Sequence, residues 1–282
     1  MFMRLKAPHS GATHILKFSL LLFTLIASSI FGSSAAEAGG TAPPVAQLNQ
    51  LVFISEDYPP YNHLEDGTAS GWAVELLVAA SVSMNSPVNK TDIQFKPWAR
   101  GMHETLNGNR RVLFSTSRTP ERESLFKWAG PIVEEHVALV AKKSRHLQVT
   151  SVEQLRPLRF GVVRDDVTNE FLAPLKLNSS QLALGNNVTS IARMLQANRI
   201  DVWPVAPATA WAILEKIDLK PGDYEVVAYL KASTLYYAFS ADVDDALVAE
   251  FQDTLDQLRR TNPKLFPKSD LDLIPLSLPP IQ

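Results

Sequence analysis

The chain has 282 residues, of which 46% are hydrophobic and 20% are charged, and its formal net charge is -2. These values describe a globular protein large enough for one big domain or two modest ones, and the nearly balanced charge gives no indication of nucleic-acid binding. The absence of cysteine excludes disulfides, thiol catalysis and cysteine-ligated metals.

The first 38 residues have the pattern of a secretory signal peptide. Arg4, Lys6 and Lys17 precede an apolar run at residues 18–31, and an Ala-Glu-Ala motif ends at residue 38. A membrane anchor is the alternative, but the run is shorter than the about 20 apolar residues that span a bilayer. We therefore expect a cleaved signal and a periplasmic mature protein that, without cysteine, is not a lipoprotein.

After an irregular lead at residues 39–48, apolar runs alternate with helical patterns. Strands are expected at residues 51–54, 93–95, 112–114, 137–141, 159–163, 200–205, 224–228 and 235–240. Helices are expected at residues 72–84, 98–106, 168–175, 189–196, 208–217 and 246–259. The alternation restarts after a polar break at residues 142–145, which predicts two α/β lobes with parallel sheets. Residues 56–71 are expected to form a loop, and the proline-rich tail from Pro275 to lie on the surface.

Residues 113–131 carry the first indication of a binding site. A short apolar run is followed by hydroxyl residues and then by Thr119 and Pro120, the usual order of a helix N-cap and first helical residue. Arg122 then falls in the first helical turn, where unpaired N–H groups already carry positive potential, so a bound anion is favoured. The alternative is a surface ion pair of Arg122 with Glu121 or Glu123.

Several segments in one register resemble the bacterial extracellular solute-binding proteins of family 3, which serve uptake systems of the polar amino acid type. They are Tyr-Pro-Pro-Tyr at residues 58–61, and residues 66–72, 115–122, 126–131, 151–155 and 198–201. The resemblance implies the α/β type II periplasmic binding fold, with two lobes joined by two crossing strands around a ligand cleft. The implied first lobe comprises residues 39–138 and 236–282, and the second comprises residues 139–235.

By this resemblance, Arg122 binds a carboxylate of the ligand with help from Ser115 and Ser117. A guanidinium offers a planar fork for such a group. Tyr58 corresponds to an aromatic residue that lies against the ligand in relatives, and Trp72 is a further candidate, although core packing is the alternative for this tryptophan and for Trp98.

The second lobe departs from the family pattern. Relatives place an aspartate there that holds the ammonium of the ligand, whereas this chain has the apolar residues 202–206, ending in Ala206. Thr168 is a candidate ligand contact beside Asp165 and Asp166. This acidic pair offers a replacement carboxylate or an N-cap for the next helix.

The sequence thus predicts a monomeric periplasmic binding protein, not an enzyme, without cofactor or metal. Its partners are expected to be a small carboxylate-bearing solute, an amino acid or relative, and an ABC-type membrane permease. Two alternatives stay open. One is a periplasmic enzyme of this fold, similar to dehydratases, for which Glu56, Asp57, His63 and His103 are the candidate acids or bases. The other is a soluble ligand-sensing accessory.

Overall fold

A computed structural model describes residues 47–267, so the predicted signal peptide and proline-rich tail lie outside the described residues. The strands of this part of the chain are β1 (Val52–Ser55), β2 (His63–Glu65), β3 (Thr68–Ser70), β4 (Gln94–Phe95), β5 (Arg111–Ser117), β6 (Lys127–Lys142), β7 (Phe160–Val163), β8 (Leu182–Gly185), β9 (Trp203–Val205) and β10 (Tyr224–Phe239). The α-helices are α1 (Trp72–Ser83), α2 (Trp98–Asn107), α3 (Val167–Leu172), α4 (Val188–Gln196), α5 (Pro207–Lys216) and α6 (Asp245–Thr261).

The central sheet has six strands in the order β4-β1-β5-β10-β6-β9. β1 pairs in parallel with β4 and β5, whereas β10 runs antiparallel to β5 and β6, and β9 runs antiparallel to β6. Two smaller sheets are the β2-β3 hairpin and the parallel pair β7-β8. The predicted α/β alternation is confirmed, but the central sheet is mixed rather than parallel.

The largest difference from the sequence prediction is the length of β6 and β10, which have 16 residues each. The three short strands expected at residues 137–141, 224–228 and 235–240 are parts of these two strands. Polar residues such as Glu135 and Ser233 interrupt the apolar runs and so suggest strand ends. Because β6 and β10 pair from Tyr224 opposite Lys142 to Phe239 opposite Lys127, their backbone groups are satisfied across this polar centre.

Three further local predictions were wrong. The helix expected after Thr119 is only a 3-10 turn at Glu123–Leu125, and Arg122 precedes it. The loop predicted at residues 56–71 contains the β2-β3 hairpin, and β8 was not predicted. Pairing of very short strands leaves little periodicity in the sequence, which explains the last two errors.

Apolar side chains pack on both faces of the sheet and divide it into two ends. We call the part around β1, β5, α1, α2 and α6 the first lobe, where Tyr237 and Phe251 meet edge to face at 5.1 Å. The part around β7, β9, α3, α4 and α5 is the second lobe, where Leu139 and Phe160 are fully buried. The predicted boundaries between the two lobes lie between residues 138 and 139, inside β6, and between residues 235 and 236, inside β10. These lobe boundaries stay predictions.

Asp201 is a buried carboxylate of the second lobe that binds two arginines. Only 6% of this residue is exposed, and its carboxylate accepts hydrogen bonds from Arg145 Nη2 at 2.8 Å and from the backbone N of Arg159 at 2.9 Å. Burial raises the pKa of Asp201, but the hydrogen bonds and charges of the two arginines outweigh burial and hold the pKa below its ordinary value. Asp201 therefore has a structural role.

We expect Asp201→Asn to lower the free energy of unfolding at pH 7 by about 1–3 kcal/mol, because the buried partner of two arginines loses its charge. Since the pKa is lower in the folded state, this stabilisation exists above the unfolded pKa of about 3.9 and is lost as the pH falls further. Urea denaturation at several pH values measures it. Asp253→Asn on the exposed side of α6 is the control, and equal stability of wild type and Asp201→Asn at pH 7 would contradict the expectation.

Candidate functional site

A cavity lies between the two lobes, beyond the carboxyl ends of β1, β5 and β7, where ligands of open α/β sheets bind. Its empty space is ≈ 550 Å³, a volume that includes the solvent-open mouth. Its polar lining consists of Glu56, Tyr58, Ser115, Ser117, Arg122, Glu135, Asp166 and Thr168. Strands and loops thus bring together residues that are up to about a hundred positions apart in the chain.

A β-bulge in β5 shapes the first-lobe side of the cavity. Tyr236 of β10 lies opposite Thr116 and Tyr237 lies opposite Phe114, so Ser115 is an extra residue in its strand. Ser115 has a φ of 57°, a left-handed conformation that is costly for a residue other than glycine. Its Oγ is buried and has no hydrogen-bond partner within residues 47–267. Bulges often redirect side chains at functional sites, and the free hydroxyl is consistent with that role.

Arg122 is the positively charged group of the cavity, and its side chain is only 6% exposed. Its Nε donates to Glu170 Oε1 of α3 at 2.7 Å, and its guanidinium lies 5.8 Å from the ring centre of Trp98. The remaining Nη1 is buried without a partner in the described part of the chain. The predicted alternative, a surface pair with Glu121 or Glu123, is wrong, because Arg118 pairs with Glu123 instead.

Hydrogen bonds hold the two lobes together around this cavity. Thr119 Oγ1 donates to Glu170 Oε2 at 2.8 Å, and Trp98 Nε1 donates to the backbone oxygen of Asp165 at 2.8 Å. On another side, Lys216 Nζ lies 2.6 Å from a carboxylate oxygen of Asp57. These contacts join the first lobe to α3, to its preceding loop and to α5.

The other wall of the cavity is acidic. Tyr58 donates from its hydroxyl to Glu135 Oε1 at 3.1 Å, and Glu135 is 2% exposed. Glu56 is 8% exposed, and its Oε2 has no hydrogen-bond partner among the described residues. Burial raises the pKa of Glu56 well above its ordinary value, and the charges of Asp166 and Asp57 raise it further. Burial and the charge of Glu135 likewise raise the pKa of Tyr58.

The cavity includes five of the six ligand-binding residues predicted from the sequence. They are Tyr58, Ser115, Ser117, Arg122 and Thr168. Ser117 Oγ accepts from Ser233 Oγ at 2.8 Å. Trp72 does not line the cavity, is 44% exposed, and contacts Tyr61 edge-on at 5.9 Å.

The structure locates residues of two alternatives that the sequence left open, and Asp166 both lines the cavity and caps α3. Asp166 is the N-cap of α3, since its Oδ1 accepts from the backbone N and the Oγ1 of Thr168 at 2.9 and 2.6 Å. Of the candidate acids and bases, Glu56 lines the cavity, whereas His63 in β2 and His103 on α2 do not.

Sequence reasoning missed Glu135 and Glu170. Glu135 lies two residues from Val133 and two from Val137, and both valines are buried. Because side chains two residues apart in a strand lie on the same face, this spacing would have placed Glu135 on the buried face. Glu170 follows Thr168 by two residues, but its pairing with Arg122 joins positions 48 residues apart. Short-range patterns do not contain such a contact.

Two α/β lobes with a polar cleft between them are the architecture of periplasmic-type ligand-binding proteins. The sequence model of "Bacterial extracellular solute-binding proteins, family 3" matches residues 51–264, and the chain belongs to this family. No curated protein sequence matches the chain significantly.

Solved structures share the fold at low sequence identity. A histidine kinase sensor domain with similarity to periplasmic binding proteins has a TM-score of 0.68 at 23% identity, covering 77% of this chain and 94% of that one. A histidine-bound ABC uptake transporter substrate binding protein from Streptococcus pneumoniae has a TM-score of 0.66 at 19% identity, covering 78% and 92%. A solute receptor for L-cysteine from Neisseria gonorrhoeae has a TM-score of 0.61 at 17% identity, covering 78% and 90%. The expected type II periplasmic binding fold is therefore confirmed.

None of the helices within residues 47–267 is both long and apolar enough to cross a bilayer.

We expect Glu56→Gln to stabilise the protein increasingly as the pH rises from 4 to 8. The raised pKa means that the folded state favours the protonated acid, so ionisation above the unfolded pKa of about 4.3 costs stability in the wild type but not in the variant. Urea denaturation across this pH range measures the difference between the two proteins.

Glu104→Gln on α2 is the matched control, for which we expect a change in stability of the opposite sign. Hydrogen bonds from Lys96 and Arg100 lower the pKa of Glu104 to about 2. Its substitution should destabilise the protein at pH 7, and the loss should shrink as the pH falls below about 4.3. A difference between wild type and Glu56→Gln that stayed constant with pH would contradict the assigned burial of Glu56.

Proposed function

We propose that this protein captures a small carboxylate-bearing solute, an amino acid or a close relative, by closure of its lobes in the periplasm and delivers it to an ABC-type permease. The observation that carries the proposal is the Arg122 guanidinium, which is buried in the cavity with one nitrogen, Nη1, unpartnered within the described chain. A buried charged donor without a partner is costly, and a ligand carboxylate would remove that cost.

The surrounding donors suit the same ligand group. Ser115 Oγ lines the cavity unpaired, and Ser117 and Thr168 add hydroxyl groups on either side of it. Charge-assisted hydrogen bonds in a closed cleft are stronger than neutral ones, because the local dielectric is low and water is excluded. In this proposal Arg122 and Ser115 bind the carboxylate directly, with no metal or cofactor.

Family membership supports the proposed class of ligand. The similar proteins from Streptococcus pneumoniae and Neisseria gonorrhoeae are described with histidine bound and as a receptor for L-cysteine, respectively. The signal-peptide pattern of the first 38 residues supports export to the periplasm. We also propose that the protein is a soluble monomer and that it interacts with the permease.

Two other functions are alternatives to solute transport, and each can be tested. Glu56, a buried acid in the cavity, favours the enzyme alternative, in which the ligand is consumed. Similarity to a histidine kinase sensor domain favours a sensing role. Mass spectrometry of the ligand recovered after incubation separates binding from catalysis, and solute uptake by a strain lacking this protein separates transport from sensing.

We expect Arg122→Ala to weaken binding of the preferred carboxylate ligand by about 30- to 1000-fold, the usual effect of removing one partner of a buried charged pair. A thermal-shift screen of amino acids, dicarboxylates and short peptides identifies the preferred probe, since a ligand that binds only the folded state stabilises it. Isothermal titration calorimetry then measures the affinity.

Arg118→Ala is the matched control. Arg118 lies four residues earlier, and its side chain is 37% exposed and paired with Glu123. Its substitution should change the affinity by less than about threefold, because exposed ion pairs contribute little. Full affinity in Arg122→Ala would refute the proposed carboxylate site.

A further inference from the structure

We propose that residues 268–282 pack along the outer face of α1. By the outer face we mean the side chains of this helix that are exposed or half-buried within residues 47–267, namely Trp72, Glu75, Val78, Ala79, Val82 and Ser83. This surface lies outside the cavity, so the inference does not depend on the proposed function.

The composition of α1 is the first reason. Its 12 residues include one charged side chain, that of Glu75, which is paired with Lys90. A surface helix ordinarily has a charged face opposite its apolar stripe, whereas a helix that is apolar on all sides is covered on all sides. Within the described chain, however, Trp72 is 44% exposed and Val82 is 58% exposed. The outer face therefore has the composition of a covered surface without its cover.

Trp72 presents the largest apolar side chain of this face and is held firmly in place. Its backbone N donates to the backbone oxygen of Pro60 at 3.3 Å, and its ring contacts Tyr61. A Cβ at the preceding Gly71, which has a φ of 109°, would lie 2.5 Å from the backbone oxygen of Tyr61, so this close approach requires glycine. Since Trp72 does not line the cavity, ligand binding does not account for its exposed ring.

The path of the chain is the second reason. Leu247 and Glu250, near the start of α6, line a surface pocket together with Met84 at the end of α1, and the two helices pack against each other. α6 has 17 residues and is about 25 Å long, so its far end lies toward the start of α1. The next turn, Pro263–Leu265, contacts α1. The described chain therefore ends near Trp72.

The segment that continues from this point matches the outer face. Residues 268–282 contain four leucines and two isoleucines among 15 residues. They can reach up to about 50 Å when extended, whereas α1 is about 18 Å long. Their three prolines favour an extended chain over a helix. The length and composition of the segment thus suit a path along α1.

The size of the outer face also favours a tethered segment over a second copy of the protein. A stable dimer buries about 800 Å² on each partner, which is more than the exposed parts of six side chains supply. A segment of the same chain needs less buried area, because its tether gives it a high effective concentration at the face.

The test measures how far residues 268–282 protect the outer face. The chain contains no cysteine, so Val82→Cys introduces a unique thiol on this face. We expect a maleimide to label this thiol at least about fivefold more slowly in the otherwise wild-type chain than in a chain with Leu→Ser substitutions at residues 271, 273, 276 and 278. Those substitutions remove the apolar area that would pack on α1. Mass spectrometry over time measures both rates.

Two further reporters protect the interpretation. Ser83→Cys is nearly isosteric and lies on the same face, so it should show the same protection even if Val82→Cys lowers stability. Asp253→Cys lies on the exposed side of α6, about 12 Å before the end of that helix, and is the control at a comparable distance from residue 268. Its labelling rate should change by less than about twofold when the four leucines are replaced.

A pair of cysteines tests the contact directly. Val82→Cys combined with Leu276→Cys should form an intramolecular disulfide at least about tenfold faster than Asp253→Cys combined with Leu276→Cys. A disulfide requires its two Cα atoms to lie within about 7 Å of each other, so the faster pair reports the closer approach. Mass spectrometry of the oxidised protein distinguishes bonds within one chain from bonds between two.

Each outcome decides the inference. Protection of Val82→Cys and Ser83→Cys by the four leucines, together with the faster disulfide, supports it. Labelling rates at both positions that do not respond to the leucine substitutions overturn it, and so do equal rates of the two disulfides. Protection that rises with protein concentration, or a disulfide between two chains, assigns the face to a second copy and overturns it as well. Because none of these measurements involves a ligand, the proposed function is not affected by their result.

Discussion

The pairing of β6 with β10 is the constraint on which the rest of the structure depends. These strands exchange backbone hydrogen bonds along nearly their whole length, and β5, β9 and, through β5, β1 attach to them. Buried backbone groups must be paired, so neither strand can slip without losing many hydrogen bonds and exposing its apolar face. The register places Glu135 opposite Ser233 at the centre of the pair, beside the cavity. The site is therefore positioned by the sheet rather than by any one loop.

The hydrogen-bond donors and the acidic groups of the cavity lie on different structural elements. Arg122 and the hydroxyl groups of β5 supply donors on one side, and Glu170 from the second lobe holds the arginine in place. Glu56 and Glu135 supply acceptors on another side, with Tyr58 bonded to Glu135. Hydrogen-bond donors and acceptors therefore lie on different sides of the cavity.

The binding geometry also couples the lobes. Glu170 contacts both Arg122 and Thr119, and Trp98 donates to the loop before α3, so the groups that would hold a ligand also hold the cleft closed. A ligand carboxylate at Arg122 Nη1 would add to this network without displacing it. The residues that line the cavity and the residues that join the lobes are therefore directly bonded to each other.

The sequence by itself determined the helices and the α/β alternation, because helix patterns and caps are local; α2, α4, α5 and α6 lie within about two residues of their predicted bounds. It also pointed to Arg122, Ser115 and Ser117 through one continuous segment. Tertiary structure alone decided the union of predicted short strands into β6 and β10, the pairing of Arg122 with Glu170, and the convergence of Glu56 and Glu135 on one cavity. Those features depend on hydrogen bonds and charges between residues dozens of positions apart, and periodicity within a short segment carries no record of them.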